Sequence, residues 1–162
     1  MNLSKEEKKK LENRTMIPFW WHTIKHKALL MGYILRFCMK LIWRGVIHDF
    51  SKYTLFEGKS YGKFLPEFKK VKYGTQEYND ILAKFQPAID HHYAHNRHHP
   101  QHFEEGYTGM SLLDLIEMFF DWKAASRKKI GTGSIEKSLP INAKRFNMSD
   151  DIVKIMSNSL DL

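Results

Sequence analysis

Apolar side chains recur along the first third of the chain in alternating steps of three and four. Trp21, Ile24, Ala28, Met31, Leu35, Cys38 and Ile42 follow this rule, which aligns them on one face of a helix. His22 and His26 lie one turn apart on a neighbouring face. Upstream, Lys5 to about Arg14 is polar, Ser4 and Glu7 have the spacing of a capping box, and Pro18 suits the first turn of the next helix. Gly45 predicts a break before Ile47 to Lys52. A short helix carrying Glu57 is expected over Tyr53 to Tyr61, weakened by Gly58 and Gly62, with a basic loop from Pro66 to Gly74.

Thr75 to Tyr93 reads as helix, with Tyr78, Ile81, Leu82, Phe85, Ile89 and His92 on one face and Pro87 kinking it. Asn96 to Gly109 reads as loop. Met110 to Lys128 is the clearest helix, capped by Ser111 and packed through Leu112, Leu115, Ile116, Phe119, Phe120 and Trp122. Its Asp114, Glu117 and Asp121 fall at i, i+3 and i+7, which stacks three carboxylates on one stripe. A glycine-rich turn, Gly131 to Ser134, precedes a last helix from about Ser149 to Ser159. No strand alternation and no repeat occurs. The pattern predicts an all-α single domain over residues 1–162, with 1–14 as a peripheral charged helix.

Composition narrows the class. At 162 residues, 43% hydrophobic and 14% aromatic, the chain can bury a core without disulfides, and its single cysteine, Cys38, excludes an internal one. Cys38 has apolar neighbours and is expected to be a buried small hydrophobe. No secretory signal is read at the charged N-terminus. Lys25, Lys27, Arg36, Lys40 and Arg44 interrupt the apolar stretch from Met16 to Ile47, so no membrane span is expected. A net charge of +8 favours phosphate-bearing partners: nucleotides, nucleic acid or an anionic membrane surface. Of these a small phosphorylated substrate, a nucleotide above all, is the expected one, with nucleic acid second and no membrane.

The candidate chemistry lies in the polar positions. Six of the nine histidines fall between His91 and His102: His91, His92, His95, His98, His99 and His102. Neutral imidazoles bind divalent metals, while protonated ones this close would repel. A His48-Asp49 pair follows the first long helix, and Asp121 sits on the helix after the cluster. Imidazole nitrogens and carboxylate oxygens suit Mn, Fe, Zn, Co or Mg, so one or two such ions are the expected cofactor. A carboxylate between Phe120 and Trp122 would be costly to bury unpaired, which favours Asp121 as a ligand.

In this order the residues resemble the HD superfamily of metal-dependent phosphohydrolases. Its helix-borne His, His-Asp pair, additional His ligands and final helix-borne Asp would be His26 (or His22), His48-Asp49, the His91-His92 region and Asp121. The cyclic-dinucleotide phosphodiesterase branch opens on His-Asp-x-Gly-Lys, against His48-Asp49-Phe50-Ser51-Lys52 here, with Ser51 in the Gly place. That branch's Gly-Tyr-Pro is absent, Gly106-Tyr107-Thr108 being a partial echo, which argues against a cyclic dinucleotide. Most of the chain is similar to small uncharacterised HD-like proteins of bacteria and bacteriophages. The shared features are His48 to Lys52, Glu57, Asn96 to Pro100, and Asp114 to Trp122.

The resemblance implies an HD-like helical bundle and a cytoplasmic phosphohydrolase, in a bacterium or in the host of a phage. The implied metal ligands are His26, His48, Asp49, His91, His92 and Asp121, at most one of the adjacent His91 and His92 touching an ion. Asp49 and Lys52 would be the catalytic pair, Lys52 on a substrate phosphate. His95, Arg97, His98, His99, Asp114 and Glu117 are candidates for a second metal or the substrate, and Glu57 for support behind the ligands. Homo-oligomerisation is compatible with all of this. Two alternatives stand beside hydrolysis: an HD-fold di-iron oxygenase, and a non-enzymatic module that sequesters a nucleotide or binds nucleic acid.

Overall fold

The computed structural model describes residues 4–72, 74–127 and 134–161. The protein is all-α: among the described residues there are six α-helices and three short 3-10 turns, and no strand. The chain divides into two compact units, Met1–Trp43 and Arg44–Leu162. The helices are α1 (Lys5–Ile47), α2 (Leu55–Phe68), α3 (Gln76–His95), α4 (Leu112–Arg127), α5 (Ile135–Arg145) and α6 (Asp150–Ser157).

The first unit is helix α1 up to Trp43. Its start is the expected capping box: the Ser4 hydroxyl accepts from the Glu7 amide (3.3 Å), and the Glu7 carboxylate accepts from the Ser4 amide (2.8 Å). The two predicted helices on either side of Pro18 are one. Pro18 lies inside α1, where it removes one backbone donor without ending the helix, and the helix also passes Gly45. Trp21, Ile24, Met31, Leu35 and Ile42 are all exposed, as are Phe19, Trp20 and Cys38. Among the described residues the unit offers no second element to cover them, so the expected buried face and buried cysteine are not found. No described helix is long and apolar enough to cross a membrane.

In the second unit two apolar clusters hold the helices. Phe64 of α2 packs with Phe85 and Ala88 of α3. Phe85 meets Tyr61 edge-on at 4.9 Å between centroids, with Phe64 at 5.6 Å and Phe68 at 5.9 Å. The larger cluster joins Met118 and Phe119 of α4, Ile135, Leu139 and Ala143 of α5, and Met156 of α6. Helix α5 is absent from the expected pattern, because Pro140 lies within it and only Ile135, Leu139 and Ala143 are buried. Helix α2 extends further than predicted, through Gly58, Gly62 and Pro66 to Phe68. Thr54 and Thr75 cap α2 and α3 by accepting from the amides of Glu57 and Tyr78. Gly131 to Gly133 of the expected turn, and Lys128, lie outside the described residues.

Between the end of α1 and the start of α2 the chain reverses through Asp49, at φ 57° and ψ 20°. The left-handed region costs a non-glycine residue roughly 1 kcal/mol or more. Asp49 is one of two described non-glycine residues with positive φ. A carboxylate thus occupies a turn position that backbone preference would give to glycine.

Candidate metal centre

All the groups that follow belong to the second unit. Helix α4 supplies Asp114, Glu117 and Asp121 on its inward stripe, the turn after α1 supplies His48 and Asp49, α2 gives Glu57, and α3 with the following turn gives the histidines. Ring nitrogens and carboxylate oxygens of six of these residues converge in two groups. Asp49, His92, His98 and His99 each offer an atom within 4.8 Å of the others, and so do His48, His98 and Asp121. His98 belongs to both, so the two groups are contiguous.

In the first group the Nε2 atoms of His92 and His99 are 3.0 Å apart. Asp49 Oδ1 lies 3.2 Å from His92 Nε2 and 3.4 Å from His98 Nε2. Asp49 Oδ1 and His98 Nε2 are buried and have no hydrogen-bond partner. Buried unsatisfied polar atoms are uncommon and cost about 1–3 kcal/mol each. Two nitrogens each about 2.0–2.1 Å from a shared ion sit roughly 3 Å apart, so an ion among these atoms would satisfy all four. The donor set fits a divalent cation, and this buried His/Asp cluster could hold one.

The ligand rings are held from behind. Glu57 is fully buried and receives hydrogen bonds from His91 Nδ1 (2.7 Å), His92 Nδ1 (3.0 Å) and the Ser51 hydroxyl (3.0 Å). A carboxylate only accepts, so the proton of a neutral His92 sits on Nδ1 and its bare Nε2 faces the cluster. Asn96 donates to Ser51 Oγ (2.7 Å) and to the His92 carbonyl (2.7 Å). Glu117 does the same work on the other side, with Oε1 2.9 Å from His48 Nδ1 and 3.3 Å from His98 Nδ1, and Oε2 held by Arg44 Nε at 2.5 Å. That leaves His48 Nε2 facing Asp49 at 3.5 Å and Asp121 at 3.6 Å.

The electrostatics follow from this packing. Asp121 and Glu117 push the His48 imidazole up to about 10. Burial alone would raise the Asp49 carboxyl, but His92, His98 and Lys52 outweigh it and hold it well below the usual carboxylate range. Burial, together with the charges of His98 and His92, lowers His99 to about 3. His99 is therefore a neutral ring with an available lone pair throughout the physiological range.

Several expected residues take other places. Lys52 binds Asp49 Oδ2 at 2.5 Å and lies over the Tyr61 ring. Its ammonium supports the carboxylate. His26 lies in the first unit and is exposed, about six helical turns before the end of α1, and neither group includes it. His91 turns its Nδ1 to Glu57 and stacks on His95 at 4.0 Å, outside both groups. Of the adjacent pair, His92 is thus the one in the cluster. His95 is exposed with Nδ1 on the His91 carbonyl, and His102 Nδ1 faces the Tyr93 carbonyl. Asp114 belongs to neither group. Fully buried, it receives the Ser111 amide and hydroxyl, Arg44 and both Nε and Nη2 of Arg97.

Arg44, Ser51 and Asn96 were not singled out for these roles by pattern. Their spacing carried a signal, since Arg44 is four residues before His48 and Asn96 four after His92. That spacing alone does not distinguish a support from a solvated side chain.

No curated protein and no solved structure matches the chain. The profile of a family of unknown function covers residues 19–162, which takes in every residue of both ligand groups. The chain belongs to that family, DUF5662.

Proposed function

We propose that the two contiguous groups hold one or two divalent ions and that the protein is a metal-dependent phosphohydrolase. Its substrate would be a nucleotide or a related phosphomonoester or phosphodiester. The observation that carries this is the pair of buried, unpartnered atoms, Asp49 Oδ1 and His98 Nε2, converging with His92 and His99. Asp49, His92, His98 and His99 would hold one ion; because His98 has one free ring nitrogen and serves one ion at a time, a second would rest on His48 and Asp121. A bound cation lowers the pKa of a coordinated water toward neutrality and offsets phosphate charge. Mixed imidazole and carboxylate donors with no thiolate suit Mn, Fe, Zn, Co or Mg. The order of these residues along the chain, resembling HD phosphohydrolases, supports a metal centre of that kind, and the net charge of +8 supports a phosphate-bearing substrate.

Elemental analysis of the purified protein, joined to a screen of nucleotides and model phosphoesters for phosphate release, tests this directly. One or two equivalents of a divalent metal and chelator-sensitive release are expected. A metal-free protein, or one whose phosphate release ignores the chelator, would rule the assignment out. A coloured, oxygen-consuming iron protein without phosphate release would point to oxygenase chemistry instead.

Glu57→Gln gives a second check. The amide keeps the shape of the side chain but cannot accept from both His91 and His92 as the carboxylate does. Metal affinity is expected to fall about 10–100-fold, the usual effect of losing a group that orients a ligand. Circular dichroism should stay unchanged. Unchanged affinity, measured by competition with a fluorescent chelator, would remove Glu57 from the site.

A further inference from the structure

We propose that the pocket on the outer side of His48 and His98 is an oxyanion subsite for the substrate's phosphate, and that Arg97 is the residue that contacts it. The assignment rests on the phosphohydrolase reading for its substrate class. The pocket measures about 260 Å³, and its walls include Arg44, Ile47, His48, His95, Arg97 and His98. It therefore opens directly onto two imidazoles of the metal centre.

The guanidinium of Arg97 is fixed on two sides. Its Nε and Nη2 each lie 3.2 Å from an oxygen of buried Asp114, and its plane lies over the Phe103 ring, 4.8 Å from the centroid. Half of the side chain, 52%, remains exposed. Its Nη1 edge has no acceptor among the described residues. A planar fork anchored from behind loses little further freedom on binding an anion, and its two-pronged geometry matches phosphate better than a lysine ammonium does. Arg44 in the same wall is also anchored, by Asp114 at 2.6 Å and Glu117 at 2.5 Å. Glu117 lines the pocket too, but its oxygens are taken by Arg44 and by His48.

Size selects among anions. Sites for drug-sized ligands run to roughly 300–1,000 Å³. This pocket falls just under that range, which suits a phosphate with a small attached group and not an oligonucleotide.

Orthophosphate is the probe. Its binding is measured by isothermal titration calorimetry on the wild type, Arg97→Met and Arg97→Lys, before and after chelation, with metal content measured in parallel. Arg97→Met is expected to weaken orthophosphate about tenfold or more, the loss of a charge-assisted hydrogen bond, at unchanged metal content. Arg97→Lys should fall between the two. Asp114 keeps Arg44 and Ser111 in both variants, so the buried carboxylate stays paired. Should Arg97→Met fail to fold by circular dichroism, Arg97→Lys carries the test. Wild-type orthophosphate affinity in the folded variants, or no binding to the wild type at millimolar concentration, overturns the subsite. Arg97-dependent binding in a protein that purifies without metal would leave the subsite standing and remove the phosphohydrolase assignment. Metal-dependent but Arg97-independent binding would do the reverse.

Discussion

Asp49→Ala is expected to abolish phosphate release and to lower metal affinity by about two orders of magnitude while leaving helicity nearly intact. Asp49 is the only carboxylate in its ligand group, and its Oδ1 is one of two buried side-chain polar atoms without a partner among the described residues. Structural zinc sites bind with roughly 10–16 kcal/mol from about four ligands, so one ligand accounts for roughly 3 kcal/mol or more, about 100-fold. The fold should tolerate the change. Lys52, the other partner of this carboxylate, is more than a third exposed and can turn to water. No apolar contact of either core cluster includes Asp49. Elemental analysis and turnover of the variant decide the matter: wild-type metal content together with wild-type turnover would refute the assignment of Asp49.

Asp114→Ala is expected to act on stability. Asp114 is fully buried, accepts from Arg44, Arg97 and both Ser111 donors, and caps the start of α4. Removing one partner of a buried ion pair typically costs about 3–5 kcal/mol. Arg97 is half exposed and Arg44 retains Glu117, so about 2–4 kcal/mol is the expected loss here. The urea midpoint should fall at unchanged slope. The folded fraction should keep its metal, because Asp114 belongs to neither ligand group; loss of metal from folded protein would make Asp114 a ligand after all.

The same carboxyl predicts an acid limb. Burial would raise it, but Ser111, Arg97 and Arg44 prevail and lower it from an ordinary 3.8 to about 2. A group whose folded pKa is depressed contributes stability above its unfolded pKa and loses it as pH falls through the folded one. This contribution is therefore complete above about pH 4 and disappears toward pH 2. In Asp114→Ala that segment of the stability–pH curve should flatten.

What pattern alone reveals depends on the range of the interaction. The Ser4–Glu7 capping box, the cap at Ser111, and the long helix carrying Asp114, Glu117 and Asp121 were legible because each is made between residues three to seven apart. Pro18 and Pro66 mark expected boundaries, yet α1 and α2 run through them as α3 runs through Pro87, since a missing donor weakens a helix without always ending it. Helix α5 escaped notice because three buried residues make too faint a stripe.

The candidate site divides in the same way. By itself the sequence determined an all-α protein with a His-Asp pair, a histidine cluster and three stacked carboxylates, since ligand type and helical phase are written in residue identity and spacing. Only the tertiary structure decided their roles. Glu57, more than thirty residues away, takes the Nδ1 of both His91 and His92, but only His92 has its Nε2 on Asp49, while the His91 ring stacks on His95. Glu117 supports ligands while Asp121 joins them, although both share one helical stripe, because Arg44 meets the first and not the second. Such choices are made between side chains distant in the chain, through burial and hydrogen-bond partnership, and spacing along one helix carries no record of them.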